Sequence, residues 1–130
     1  MEKEDIAKII LLIVGVVILA GGLWYWTSLE NEATPINSNI ILFYGRECPH
    51  CQDLDKFLAE NQMTEKVKFD RLEVFHNPKN RAILTEKAKK CGIENEQEIG
   101  VPFLYNIEDN ECFTGTPEIE DFFVKKTQTK

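Results

Sequence analysis

From Ile9 to Trp26 the chain reads IILLIVGVVILAGGLWYW, eighteen residues without a charge. Wound as a helix at about 1.5 Å per residue, the run is roughly 27 Å long, close to the thickness of a bilayer core. It reads as one membrane span over residues 9–26. Trp24, Tyr25 and Trp26 close its far end with amphipathic rings of the kind that settle among lipid headgroups. Lys3 and Lys8 precede it, and the next basic residue after it is Arg46. The positive-inside bias therefore puts residues 1–8 in the cytoplasm and the rest of the chain outside the cell membrane, as a single-pass protein. Two other readings compete. The small residues of ILAGG would suit a cleaved signal peptide, but the long run and the aromatic trio favour an uncleaved anchor. A buried core helix would need a larger domain to cover it on all sides. Residues 27–38, TSLENEATPINS, are polar, carry Pro35 and show no periodicity, so they read as a tether. Fully extended, it reaches about 40 Å at most and keeps the following domain near the membrane.

The remainder, residues 39–130, suits one small domain. A net charge of -7 offers no polycation for a phosphate backbone, so nucleic acid is not an expected partner. Four cysteines are too few for a disulfide-dense scaffold, and their spacing, Cys48, Cys51, Cys91 and Cys112, suggests one reactive pair and two singles.

Strand-like and helix-like patterns alternate from Asn39 onward. NIILFY is a short apolar run typical of a strand buried on both faces. The helix after it places Cys51, Leu54, Phe57 and Leu58 along one side. KVKFDRLEVF alternates through Val67, Phe69 and Arg71, then shifts phase at Leu72 and Val74, so a second strand is expected and its register is open. Asn77 and Pro78 start a helix that ends at Gly92. FLYNIEDNECFTG reads as two strands around a turn at Asp109 and Asn110. Thr116 as a cap and Pro117 in the first turn open a last helix that buries Ile119, Phe122 and Phe123. The expected fold is α/β, in the order β-α-β-α-β-β-α, preceded by one transmembrane helix.

This order, with C-P-H-C at a helix start, GVPFLY about fifty residues later, and Gly115 closing the last hairpin, resembles the thioredoxin superfamily. A lone C-x-x-C also serves zinc sites; joined to the Val-Pro it becomes specific. The resemblance spans about Asn39 to Lys126. It implies a thioredoxin-like fold, a cis peptide before Pro102, and a loop at Val101 and Pro102 lying against the cysteine pair. The intervening Pro49 and His50, together with Val101, are those of DsbA-type oxidases, although the chain has no room for the helical domain those proteins insert. The family's buried acid, six positions before the first cysteine, is Leu42 here, so proton handling falls to water or another group.

The chemistry follows from the residues. A thiolate is the nucleophile in disulfide exchange, and a helix amino terminus, with its unpaired N–H groups and positive dipole end, favours that anion. Cys48 is therefore the attacking sulfur and Cys51, one turn further in, the resolving one. Pro49 restricts the turn, and His50 offers a positive charge or an N–H near Cys48. Stabilising the thiolate stabilises the reduced protein, so the Cys48–Cys51 disulfide is expected to oxidise protein dithiols. Glu47, if turned toward the sulfur, would make the pair more reducing, and Arg46 would offset it. The same scaffold run as a reductase, or a non-enzymatic metal-binding or adaptor module, are the alternatives. The resemblance implies reoxidation by a quinone-linked membrane protein for an oxidase, or recharging by a membrane electron conduit for a reductase. No cofactor or metal is expected.

Other residues have plainer readings. Cys91, on the apolar side of its helix, reads as a buried inert thiol, with a Cys91–Cys112 disulfide in an oxidising compartment as the other possibility. His76 reads as a surface or turn residue, Phe43 and Tyr44 as core and site wall, and Glu94, Glu96 and Glu98 as a solvated loop.

Overall fold

A computed structural model describes residues 2–29 and 32–129, as two compact units that meet in sequence between Glu32 and Ala33. The first holds one helix, α1 (Lys3–Leu29), which continues past the apolar run at both ends. Its side chains are exposed on every side, Leu11 at 73% and Leu19 at 75%. Among the described residues it is the one helix long and apolar enough to span a membrane.

The second unit is α/β. In chain order it contains β1 (Ile40–Tyr44), α2 (Pro49–Glu60), α3 (Met63–Lys66), β2 (Asp70–Glu73), α4 (Pro78–Lys90), a 3-10 turn (Glu96–Glu98), β3 (Phe103–Asn106), β4 (Glu111–Thr114) and α5 (Thr116–Gln128). The expected succession is present, with α3 and the 3-10 turn added. The strands form one mixed sheet in the order β2-β1-β3-β4. β1 runs parallel to β2 and antiparallel to β3, with Phe43 opposite both Leu72 and Phe103; β4 closes the antiparallel edge.

Alternation along β1 builds two cores. Ile40 and Leu42 pack with Leu54, Leu58, Leu104, Ile119 and Phe123 under α2 and α5. Ile41 and Phe43 face the other way, against Leu72, Leu84, Ala88 and Phe103 under α4. The phase shift in KVKFDRLEVF has the same cause. Val67 and Phe69 enter the first core, Leu72 and Val74 the second, so both parities of the segment are apolar where both faces are covered.

Helix boundaries follow local chemistry. Asn77 caps α4, its side chain accepting from the N–H groups of Lys79 and Asn80, with Pro78 in the first turn, and Gly92 leaves the helix at a φ of 83°. Asn110, at a φ of 53°, turns the β3–β4 hairpin. α5 departs from expectation: Gly115 is its cap and Thr116 makes no cap hydrogen bond. Thr116 Oγ1 instead donates to the carbonyl of His50 at 2.8 Å, joining the start of α5 to the start of α2.

Of the polar stretch 27–38, the first residues continue α1, and the last are fastened to the domain. Asp70 Oδ2 accepts from the N–H groups of Asn37 and Ser38 at 2.6 and 2.7 Å, and the buried Asn80 accepts from Thr34 N at 2.8 Å. Partial burial pushes the Asp70 carboxyl up, but these N–H donors, the Ser38 hydroxyl and Lys68 outweigh it and hold the group below its ordinary value. The reading of Cys91 as an inert thiol is corrected. Cys91 ends α4 directly over the edge strand and forms a disulfide with Cys112 of β4, their Cα atoms 6.2 Å apart. The pairing of helix end with edge strand is a tertiary contact that the separate motifs do not reveal.

Candidate active site

The buried apolar run of β1 ends at Tyr44, and the chain then turns into α2 through Gly45, Arg46 and Glu47. Cys48 is the cap of α2, in extended conformation, and its N–H donates to Gly45 O at 3.1 Å. Pro49 occupies the first turn, where a missing N–H costs nothing. The cap acceptor is the sulfur itself: Cys51 N donates to Cys48 Sγ at 3.3 Å. An N–H that a serine or aspartate oxygen usually takes is thus directed at a thiol, a contact that favours its anion.

The loop before β3 supplies the opposite wall. The Val101–Pro102 peptide is cis, Pro102 is buried, and Cys48 Sγ donates to Val101 O at 3.5 Å. That carbonyl favours the protonated thiol, so two contacts of opposite preference meet on one sulfur. Gly115 N donates to Pro102 O at 3.0 Å and ties the loop to the start of α5.

Cys51 lies deeper. It is 2% exposed against 7% for Cys48, on the face of α2 that also buries Leu54 and Leu58. Burial first, and then its hydrogen bond with Cys48, push its thiol up to about 12; the Gly45 backbone acts in the other direction, and the charge of Asp55 adds to the rise. Leu42, six positions before Cys48, is packed in the core beside Leu54. Asp55 is the carboxylate that acts on Cys51, and it is paired with Arg71, whose guanidinium also lies 4.6 Å from the centre of the Tyr44 ring.

All six residues singled out in the sequence lie on these two adjoining segments, Cys48, Pro49, His50 and Cys51 on one, Val101 and Pro102 on the other. His50 is exposed and is tied through its backbone carbonyl to Thr116. Sequence reasoning missed Thr116 in that bridge, and it missed Glu73. The Glu73 carboxylate accepts from the N–H groups of Arg46, Phe75 and His76 at 3.2, 3.0 and 2.8 Å. Partial burial pushes its pKa up, and these donors outweigh that and hold it below the ordinary value. The alternation of polar residues around Glu73 signals a strand and carries no trace of this grip. His76 is a turn residue as expected, yet its Nε2 lies 2.7 Å from Glu47 Oε1, so the carboxylate next to Cys48 is engaged. Glu47, Glu73 and His76 bring ligand-type atoms within 4.8 Å of one another, a cluster that backbone N–H groups and the Glu47–His76 pair account for.

Beside Val101 a cavity of about 270 Å³ is walled by Val74, Phe75, Leu84 and Ile99, with Arg81 and Glu96 among its polar residues. A larger cavity, about 620 Å³ between the β3–β4 hairpin and α5, is lined by Phe113, Phe122 and a mixture of acids and lysines, and by none of the six site residues. Comparison with protein families, with curated proteins and with solved structures returns no match for this chain.

Proposed function

We propose that the protein is a membrane-tethered, extracytoplasmic thiol–disulfide oxidoreductase with a thioredoxin-like domain, exchanging a Cys48–Cys51 disulfide with protein dithiols. One observation carries the reading: the two free sulfurs are chemically unequal. Cys48 takes a helix N–H on its sulfur, while Cys51 is buried and pushed up to about 12. Exchange needs this division between a nucleophile that forms the mixed disulfide and a second thiol held protonated until it is used.

In the oxidising direction a substrate thiolate attacks Cys48 Sγ, the more exposed sulfur of the pair. The Cys48–Cys51 bond breaks, Cys51 leaves and takes up a proton, and the substrate is joined to Cys48. The second substrate thiolate then attacks the first substrate sulfur of this mixed disulfide, forming the substrate disulfide and releasing Cys48 as the thiolate. Two electrons pass to the protein, the substrate gains a disulfide, and both substrate protons are released or transferred. With Leu42 in place of an acid and Asp55 paired with Arg71, the proton for Cys51 comes from water. The wall of Val101 and the cavity beside it offer an apolar surface to a substrate chain.

Oxidation is the preferred direction because the helix amino terminus stabilises the released Cys48 thiolate and Glu47 is engaged by His76. One contact favours reduction instead, the Val101 carbonyl, which stabilises the thiol. A quinone-linked membrane protein would reset the oxidase and a membrane electron conduit the reductase. The Cys91–Cys112 disulfide supports an oxidising compartment for the domain, the apolar α1 supports a single-pass anchor, and Lys3 and Lys8 before its apolar run support a cytoplasmic amino end.

The test is a trap. In Cys51→Ser the Cys48 thiolate can still attack a substrate disulfide and release one substrate thiolate, but no Cys51 thiol remains to displace the other, so the variant is expected to accumulate covalent adducts with cellular proteins that dithiothreitol releases, and Cys48→Ser/Cys51→Ser none. Equal adducts from both variants, or none from either, overturn the proposal.

A further inference from the structure

The Gly45–Cys48 loop is fastened to the segment after β2 by more than the sheet. Val74 N donates to Tyr44 O at 2.9 Å, and the Phe75 ring lies so close over Gly45 that a Cβ there would fall 2.3 Å from it. Glu73 grips both segments, taking Arg46 N from one and Phe75 N and His76 N from the other. His76 is thereby set where its Nε2 meets Glu47 Oε1 at 2.7 Å. Both side chains of this pair are more than half exposed, at 54% and 59%, so the pair contributes little to stability. Its consequence is local. Glu47 immediately precedes Cys48, and its carboxylate is held by His76 while Cys48 Sγ bonds with Val101 O and Cys51 N.

We infer that His76 is a positioning residue for the cysteine pair: it holds the Glu47 carboxylate and so keeps a negative charge off the attacking sulfur, and Glu73 sets where His76 stands. Its consequence for exchange rests on the dithiol reading above. Without His76 the Glu47 side chain is free to swing over Cys48, where a like charge disfavours the thiolate. Arg46 and Glu73 are the other charged groups beside this pair, Lys79 and Arg81 follow in the first turns of α4, and Glu73 is occupied by its three N–H donors. Water screens exposed charges, so the effect is modest, about three- to fivefold in Cys48 reactivity at pH 7.

The experiment is a double-mutant cycle on the reduced full-length chain in detergent, with iodoacetamide as probe and labelling at Cys48 followed by peptide mass spectrometry. His76→Ala is expected to slow labelling by about three- to fivefold, and Glu47→Gln/His76→Ala to regain the rate of Glu47→Gln, because no carboxylate is left to release. An unchanged rate in His76→Ala overturns the inference. So does a double variant as slow as His76→Ala, which would mean that His76 merely anchors the loop. Alkylation reads the sulfur whether or not the protein exchanges disulfides. A chain that shows the cycle but forms no adducts therefore refutes the proposed function and leaves the positioning role standing.

Discussion

At Cys51, burial in the α2 face is the largest of the causes that push the thiol up, and the Gly45 backbone offsets only part of it. A thiol pushed up to about 12 is, at pH 8, a thiolate in only about one molecule in ten thousand. Raising the pH from 7 to 9 therefore leaves Cys51 protonated, and only as the pH nears 12 does it ionise. Iodoacetamide is therefore expected to label the native reduced chain at Cys48 and spare Cys51 up to pH 9, while the urea-unfolded chain labels at both; equal labelling of the two in the native chain contradicts the division of roles. The two sulfurs and their helix start were legible in the sequence, since C-P-H-C after an apolar strand carries its own geometry. Glu47 was not. Its rotamer is set by His76, twenty-nine residues away, and the His50 carbonyl is held by Thr116, sixty-six residues away. Partners at such separations are chosen by the fold, and local patterns do not encode them.

Elements were legible where their signals are local. Asn77 and Pro78 at the start of α4, Gly92 at its end and Asn110 in the hairpin act through their own backbone preferences, and each stands where the pattern put it. The register of β2 was left open because both parities of its segment are apolar, and packing under two helical layers resolves it. The disulfide lies between elements. It joins the end of α4 to edge strand β4 across a sequence separation of 21 residues, and closing a loop of that size stabilises by about 3 kcal/mol on the chain-entropy account. Cys91→Ser/Cys112→Ser is expected to lose about that much in urea unfolding, with Cys48 labelling unchanged in the folded protein. A loss of reactivity at Cys48 in the folded variant would show that the staple shapes the site as well as the scaffold.

On the scale of the whole molecule, an apolar helix and an α/β domain share one short chain, and each constrains what the other is for. α1 is exposed and apolar all round, which suits lipid; the domain holds two free sulfurs and one closed disulfide, which suits an oxidising compartment. The apolar run and the alternating pattern made both parts legible, because each depends on composition over many residues. What composition does not carry is the balance at one sulfur, between the Cys51 N–H that favours the thiolate and the Val101 carbonyl that favours the thiol. If the proposed function holds, that balance sets the direction of electron flow. Equilibrating the full-length protein against glutathione redox buffers, and reading the Cys48–Cys51 couple by alkylation, measures it directly. A reversible two-electron couple with a midpoint less negative than glutathione is the predicted result; a midpoint well below it, or no reversible couple at these two cysteines, would contradict the account.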